Sequence, residues 1–241
     1  MHHGLTPAWP AFNPAHHGTP DGVWQAALER ARALELPNAE IVVVSPHPDD
    51  EVLGAGGLIS AAALAGSGVT VLAVTDGEAA YPDWHGLGRI RCREVSEALS
   101  VLAPLGVALQ HLRIPDGQVD RHRAALFDAV QQCILPSTLL VAPYERDGHP
   151  DHDATGEVCC KIARLHALTL WRYPIWTWHH GTPRGLAPKR WGCFHLDAPT
   201  IRAKARAMRC FASQMRPLGR EPIVPAHVLP YFARPYEAYL I

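Results

Sequence analysis

The sequence predicts an α/β fold: a Rossmann-like, mostly parallel sheet with helices on both faces, in a single domain. Continuous β-branched runs such as residues 41–44 are typical of strands that are buried on both faces. Segments with apolar residues at helical spacing alternate with these runs, which favours parallel strands joined by right-handed crossovers. A chain of 241 residues has the length of one large domain or two small ones.

The elements follow in order along the chain. A proline-rich arm over residues 1–20 precedes a helix that begins near Asp21 and places Trp24 and Leu28 on one face. Strands are predicted over residues 41–44, 69–75, 107–114 and 139–142, and helices over 54–65, 89–102, 119–133 and 151–165. The less regular remainder adds strands and a helix over 198–213 to the same core.

Three parts are expected along the chain. Residues 1–38 form the arm and first helix, residues 39–215 form the core, and residues 216–241 form an extension packed on that core. Trp171, Tyr173, Trp176 and Trp178 lie in the irregular region as either core residues or a stacking platform for a sugar ring.

Composition excludes several classes of protein. Lys and Arg number 22 against 23 Asp and Glu, so the formal net charge of −1 offers no basic field for nucleic acid or an anionic membrane. Hydrophobic residues at 48% exclude a disordered chain. The longest apolar-rich stretch, residues 59–65, is far shorter than the ~20 residues that cross a bilayer.

Cysteine usage and the first residues indicate the compartment. None of the six cysteines forms a C-x-x-C pair, so we expect free thiols in a reducing environment. The first residues, MHHGLTP, lack the charged and apolar regions of a signal peptide. We therefore expect a soluble, cytoplasmic protein.

Among the 15 histidines, three stand in two matching polar runs that follow predicted strands. HPDDE over residues 47–51 places three acidic side chains together, and a nearby cation would offset their repulsion. Pro48 stiffens this turn. A helix cap is the alternative, but a cap needs one Asp and explains neither His47 nor the second carboxylate.

The second run, HPDHD over residues 149–153, follows the fourth predicted strand. Open α/β sheets bind ligands at the carboxyl ends of their strands, so one cleft is expected to hold both runs. A set of His and Asp ligands with an open position is typical of catalytic zinc, whereas structural zinc sites use four Cys or His ligands. The alternative is two unrelated solvated loops.

Other catalytic motifs are absent. The sequence has neither H-E-x-x-H nor G-x-S-x-G, the signatures of common zinc proteases and serine hydrolases. The run GAGG over residues 54–57 lacks the third glycine of a dinucleotide fingerprint, because Ile59 stands there. These glycines instead predict close packing of a helix on the sheet.

Together the runs resemble the PIG-L (LmbE-like) de-N-acetylases, over roughly residues 40–215. The resemblance rests on PHPDDE at 46–51 and HPDH at 149–152. Weaker agreement is found at TDG 75–77, at spaced positions over 91–102 that begin with Arg91, at PDG 115–117 and over 204–214. It implies a Rossmann-like fold and a zinc-dependent hydrolase, with Fe²⁺ or another divalent metal as alternatives. The implied partner is a small-molecule N-acetyl amino-sugar conjugate related to N-acetylglucosamine, from which the enzyme removes the acetyl group.

The resemblance also implies roles for single residues. His47, Asp50 and His152 bind the metal, Asp49 is the general base, and His149, as an imidazolium, stabilises the oxyanion and assists the leaving amine. Glu51 is expected to support these groups without binding the metal, as are Asp151 and Asp153, which would orient the histidines.

Arg91, Asp116 and Asp147 are assigned to substrate binding. Asp147 stands where a family member of the mycothiol pathway has a catalytic tyrosine, which is a departure from that pattern. For Arg91 the alternative is a salt bridge on the helix surface with Glu94 or Glu97. Two other functions stay open: an amidase for another amide conjugate with the same metal site, and a non-catalytic sugar-binding protein.

Overall fold

The computed structural model describes residues 18–81, 83–186, 190–217 and 221–241. Within these ranges one mixed sheet forms the centre of the protein. Its strands are β1 (Arg32–Leu34), β2 (Ile41–Ser45), β3 (Val69–Ala73), β4 (Ala108–His111), β5 (Leu139–Pro143), β6 (Thr169–Tyr173), β7 (Trp191–His195) and β8 (Tyr236–Leu240). The helices are α1 (Asp21–Leu28), α2 (Asp50–Leu64), α3 (Leu87–Leu102), α4 (Arg123–Cys133), α5 (Pro150–His166), α6 (Thr177–His180), α7 (Ala198–Met208) and α8 (Ala212–Met215).

The strand order is β1-β7-β8-β6-β5-β2-β3-β4. Neighbouring strands pair in parallel, apart from the antiparallel pairings of β8 with β6 and β7. The chain adds β3 and β4 on one side of β2 and then places β5 on the other side. The gap between β2 and β5 is therefore a topological switch point, the place where such sheets bind ligands.

Alternating side chains of β2 enter two apolar layers, one on each face of the sheet. Ile41 and Val43 pack with side chains of α2, α3 and α7. Val42 and Val44 pack with side chains of α4 and α5. Each such buried aliphatic side chain contributes about 1.5–3 kcal/mol to stability. These two layers confirm the predicted α/β fold with helices on both faces.

Several boundaries differ from the predicted ones. Helix α2 begins at Asp50 and not at residue 54. The sequence predicted a loop before residue 54, but Asp50 and Glu51 form the first turn of the helix. The predicted helix over 119–133 is divided into a 3₁₀ turn at Val119–His122 and α4. The helix over 198–213 ends at Met208.

Two further features bear on the sequence predictions. Strand β1 was not predicted, because a strand of three residues is too short to show an alternating pattern of apolar and polar side chains. The arm over residues 1–17 lies outside the described residues. Among the described helices, none combines the length and the apolarity that a membrane crossing needs.

Gly54 explains how closely α2 approaches the sheet. A Cβ at this position would collide with the ring of Tyr173 on β6. Tyr173 is fully buried, and its hydroxyl donates to the carbonyl of Val44 on β2 at 2.7 Å. The glycine run therefore allows the close helix packing that the sequence predicts.

A buried ion pair joins α7 to the C-terminal strand β8, and both partners also bind the backbone of α2. Lys204 Nζ lies 2.6 Å from Glu237 Oε1, and both side chains are almost fully shielded from solvent. Lys204 also donates to the Leu53 carbonyl, while Glu237 accepts from the backbone N–H groups of Gly57 and Leu58. The pair thus holds the helix that carries the first polar run at its N-terminus.

Lys204→Met is expected to destabilise the protein by about 3–5 kcal/mol, because it leaves a buried carboxylate without its cation. The solvent-exposed pair of Arg123 and Glu157, 2.7 Å apart, provides the control. Arg123→Met is expected to lower the free energy of unfolding by only about 0–1 kcal/mol. Urea unfolding measures both changes as shifts of the midpoint at constant slope. Equal losses in the two variants would contradict the assigned importance of the Lys204 pair.

Candidate metal centre and pocket

A pocket of about 270 Å³ opens at the carboxyl ends of the strands, over the switch point between β2 and β5. It receives side chains from the loops after β2, β3, β4, β5 and β6, as predicted for a single cleft. Its polar lining consists of His47, Asp49, Asp50, Arg91, Asp116, His149, His152 and Gln214. Seven of the eight predicted site residues therefore meet in one place.

Three potential ligand atoms form a tight triangle at the base of this pocket. His47 Nδ1 lies 3.1 Å from His152 Nε2 and 3.4 Å from Asp50 Oδ2. His152 Nε2 lies 3.1 Å from the same Asp50 oxygen. Tetrahedral nitrogen and oxygen ligands of zinc, at ~2.0–2.1 Å from the ion, stand about 3.3 Å apart. The residues present therefore fit a divalent ion of this class.

Hydrogen bonds on the far side of each ring orient these histidines. His152 Nδ1 lies 2.9 Å from Asp147 Oδ2, so the ring donates there and its Nε2 lone pair faces the triangle. His47 Nε2 lies 3.3 Å from both Asp116 Oδ1 and Asp151 Oδ2. Such carboxylate–histidine pairs fix the tautomer of metal-binding histidines and raise their basicity.

The contacts of Asp147 correct its assignment to substrate binding. Its carboxylate is fully buried and does not line the pocket. Besides His152, it accepts hydrogen bonds from the backbone N–H groups of Ile175, Trp176 and Thr177. No oxygen of Asp147 is left for a substrate, so this residue supports His152 instead.

The electrostatics of the triangle favour a positive charge. Burial lowers the pKa of His152, but the charge of Asp50 and the hydrogen bonds to Asp147 and Asp50 outweigh burial and raise it to about 9. Burial likewise opposes protonation of His47, yet hydrogen bonds to Asp116, Asp151 and Asp50 raise its pKa well above the ordinary value. A bound cation would supply the charge that these groups otherwise obtain from protons.

Asp49 lies beside the triangle in an unusual backbone conformation. Its φ of 122° is strained for a residue with a side chain. The strain is held by Glu51, whose Oε2 accepts from the Asp49 N–H at 3.2 Å and from Ser45 Oγ at 2.7 Å. Burial, together with the charges of Asp50 and Glu51, raises the pKa of the Asp49 carboxyl. Strain of this kind gathers at functional sites, and Asp49 lines the pocket.

Glu51 and the two outer aspartates of the second run have supporting contacts. Glu51 is fully buried, and burial raises its pKa to about 7. Asp151 accepts from the N–H groups of Gly117 and Val119 and touches His47, as predicted. Asp153 accepts from the Gly148 N–H and so holds the loop, whereas it was predicted to orient a histidine.

His149 is a neutral ring in this structure, which corrects the predicted imidazolium. Its Nδ1 accepts a hydrogen bond from the Asp151 N–H at 3.2 Å, and an imidazolium has no acceptor nitrogen. Burial and the neighbouring rings of His47 and His152 lower its pKa. The proton of the neutral ring is therefore on Nε2, which makes His149 a hydrogen-bond donor and leaves Nε2 without a lone pair for a metal.

Arg91 is buried in the pocket wall, within the first turns of α3. Its Nη1 donates to the Gly77 carbonyl at 2.7 Å, while its buried Nε and Nη2 make no hydrogen bond to any residue that the structure describes. Gly77 has a φ of +65°, and a Cβ there would come within 2.9 Å of Arg91 Cδ. Glu94 instead binds the backbone N–H and Oγ of Ser213, so the alternative salt bridge with Glu94 does not form.

Asp116 lies between the pocket and the metal triangle. Its Oδ2 accepts from the Ala79 N–H at 2.9 Å, and its Oδ1 faces His47. Burial opposes ionisation, but the hydrogen bond to His47 prevails and lowers the pKa of Asp116 to about 2. Asp116 is thus positioned to touch a substrate while it orients His47.

The sequence predicted no role for part of the pocket wall. Gln214, almost fully buried, donates to the Pro48 carbonyl, and Ile223 and Val224 contribute an apolar side. Gln214 ends a stretch that agrees weakly with the family, whereas Ile223 and Val224 follow α8 without any regular period, so no sequence signal marked these two. Four aromatic residues over 171–178 were expected to be either core residues or a stacking platform for a sugar ring. Among these four, only Trp176 lines the pocket. Trp171, Tyr173 and Trp178 are buried in the core.

The protein has a mostly parallel α/β sheet, and a histidine–carboxylate centre lies at its switch point. These two features define its class as an α/β protein with a candidate metal centre at the carboxyl ends of its strands. The family model described as PIG-L, GlcNAc-PI de-N-acetylase, matches residues 42–163, which is just over half of the chain. This chain belongs to the PIG-L family.

Individual relatives agree with this assignment. A probable N-acetyl-alpha-D-glucosaminyl L-malate deacetylase 2 of Bacillus subtilis is 32% identical over 130 residues, which cover 48% of this chain and 57% of that protein. A 1D-myo-inositol 2-acetamido-2-deoxy-alpha-D-glucopyranoside deacetylase of Nakamurella multipartita is 30% identical over 174 residues, covering 57% of each. The chain thus spans little more than half the length of these two curated relatives.

The fold is shared with solved structures. An N,N'-diacetylchitobiose deacetylase of Pyrococcus horikoshii superposes with a TM-score of 0.56 at 21% sequence identity. The alignment covers 83% of this chain and 81% of that one.

Proposed function

We propose that this protein is a metal-dependent hydrolase that removes the acetyl group from an N-acetylated amino sugar, of the N-acetylglucosamine type, or from its conjugate. The observation that carries the proposal is the triangle of His47, Asp50 and His152 inside a pocket of substrate size. Membership of the PIG-L family and the deacetylase names of its relatives support the same reaction class.

His47, Asp50 and His152 would hold the metal, with Zn²⁺ as the first candidate and Fe²⁺ as a second. When bound, a divalent ion supplies Lewis acidity, which polarises the amide carbonyl and makes water a stronger acid. Three carboxylates keep the two rings in the tautomers that face the ion. Asp147 acts on His152, and Asp116 and Asp151 act on His47.

Asp49 would act as the general base, accepting a proton from the attacking water. Its side chain lines the pocket, and the Glu51 hydrogen bond holds its backbone in the strained conformation that keeps it there. A positioned base of this kind typically contributes ~10²–10⁴-fold to the rate.

His149 would donate its Nε2 proton as a hydrogen bond to the oxyanion that develops on the carbonyl oxygen. The Asp151 N–H fixes this tautomer through Nδ1. The proton taken by Asp49 then returns to the leaving amine, so that acetate and a free amino sugar are formed.

Arg91 and Asp116 would bind the sugar or its attached group at the pocket mouth. The two free donor nitrogens of Arg91 suit hydroxyl, carboxylate or phosphate oxygens. Trp176 and the apolar side chains of Ile223 and Val224 suit the face of a sugar ring.

Arg91→Ala is expected to lower kcat/KM by one to two orders of magnitude, roughly 1.4–2.8 kcal/mol, without loss of metal. The loss should shrink on a truncated substrate that lacks the contacted group. Arg93→Ala, an exposed position on the same helix, is the control and should leave kcat/KM unchanged. An equal loss on full and truncated substrates would assign Arg91 to the fold and not to the substrate.

A panel of N-acetyl amino sugars and other amide conjugates tests the reaction itself. We expect acetate release from at least one N-acetylglucosamine conjugate. Release of a different acid from a non-sugar amide would favour the alternative amidase. Tight sugar binding without acetate release would instead favour a non-catalytic sugar-binding protein.

A further inference from the structure

Three donor side chains of different chemistry converge outside the pocket. Asp76 follows β3, Cys92 lies on α3, and His111 ends β4. His111 Nδ1 lies 3.4 Å from Asp76 Oδ1 and 3.7 Å from Cys92 Sγ. One ligand atom from each side chain lies within 4.8 Å of the other two, and none of the three residues lines the pocket.

The spacing of these atoms matches that of ligands around one zinc ion. With Zn–N at ~2.0–2.1 Å and Zn–S at ~2.3 Å, tetrahedral N and O ligands stand about 3.3 Å apart and N and S ligands about 3.6 Å apart. The His111–Asp76 distance of 3.4 Å and the His111–Cys92 distance of 3.7 Å are close to these values. A mixed thiol, imidazole and carboxylate set suits Zn²⁺ and its softer relatives, whereas Mg²⁺ and Ca²⁺ prefer oxygen ligands.

The environment of the three groups supports the same conclusion. Asp76 Oδ1 is shielded from solvent and makes no hydrogen bond among the described residues. A cation would allow carboxylate and thiolate to be ionised side by side. Each of the three residues is half-buried.

We propose that Asp76, Cys92 and His111 form a second binding site for a soft divalent cation of the zinc class. The site would join the loop after β3, helix α3 and the end of β4. Asp76 immediately precedes Gly77, whose carbonyl holds Arg91, and Cys92 immediately follows Arg91. An ion bound here fixes the elements that position Arg91. This inference does not depend on the proposed reaction.

Titration of the metal-free protein with Co²⁺ tests the site directly. Cobalt bound to a thiolate gives a sulfur-to-metal charge-transfer band in the near ultraviolet, and the pocket triangle contains no sulfur. We expect the wild type to show this band and Cys92→Ser to lose it. Asp50→Ala, which alters the pocket triangle, should retain it. Cys210→Ser, at another half-buried free thiol, is the matched control and should also retain it.

Absence of the band in the wild type, or an unchanged band in Cys92→Ser, would overturn the proposal. A second measurement needs no variant. Zn²⁺ is expected to slow alkylation of Cys92 in the wild type by about tenfold or more, because a coordinated thiolate is no longer a free nucleophile. Mg²⁺ should not slow it, and Cys210 should react equally with and without Zn²⁺. Equal alkylation of Cys92 under all conditions would also contradict the site.

Discussion

Replacing Asp49 by asparagine is expected to lower kcat by ~10²–10⁴-fold while the metal stays bound, because the amide cannot accept the proton of the attacking water. Asparagine is the appropriate replacement here. Asp and Asn tolerate positive φ better than other residues with side chains, so the backbone at φ 122° has the best chance to survive. Steady-state acetate release from the metal-loaded variant measures the effect.

Asp128→Asn, at an exposed position of α4, is the control for this experiment and should keep full activity. Metal analysis of the same samples separates a lost base from a lost ligand. Unchanged turnover in metal-loaded Asp49→Asn would reject the role of Asp49. A parallel loss of metal would show that Asp49 is a ligand or holds the ligands in place.

Asp50→Ala is expected to abolish metal binding in the pocket and with it acetate release. Asp50 Oδ2 stands within 3.4 Å of both histidine nitrogens, so its removal takes away one of three ligands and leaves two rings facing each other. Loss of an outer-shell partner already costs 10–100-fold in metal affinity. Loss of a ligand should therefore weaken binding by more than about 100-fold.

Metal content after dialysis measures this effect, with Asp128→Ala as the control. The comparison is best made in a Cys92→Ser background, so that the second proposed site does not contribute to the metal count. Full occupancy of the pocket in Asp50→Ala would contradict the ligand assignment of Asp50.

Much of the site could be predicted because it depends on short runs at the ends of strands. HPDDE and HPDHD follow β2 and β5, and these neighbouring parallel strands deliver both runs to the same edge of the sheet. The buried strands and amphipathic helices are equally local signals, so the fold class followed from them.

The parts that could not be predicted depend on distant contacts. Asp147 stands beside the second run, yet its role is set by three backbone N–H groups after β6. The tautomer of His149 follows from the backbone at Asp151, which no residue pattern encodes. Gln214 reaches Pro48 from the far end of the core, and only the folded chain brings them together.

The same limit applies to the second proposed cation site. Asp76, Cys92 and His111 lie on separate elements, without the short spacing that marks metal motifs in a sequence. Parallel pairing of β3 with β4, which aligns Ala73 with His111, is what brings the loop after β3 close to that histidine.

The central claim is that the triangle of His47, Asp50 and His152 holds a metal on which acetate release depends. Its most direct test is acetate release from an N-acetylglucosamine conjugate by chelated enzyme, before and after addition of Zn²⁺. We predict that chelation abolishes release and that Zn²⁺ restores it in the wild type but not in Asp50→Ala. Release that persists in the fully chelated wild type, or that returns equally in Asp50→Ala, would contradict the claim.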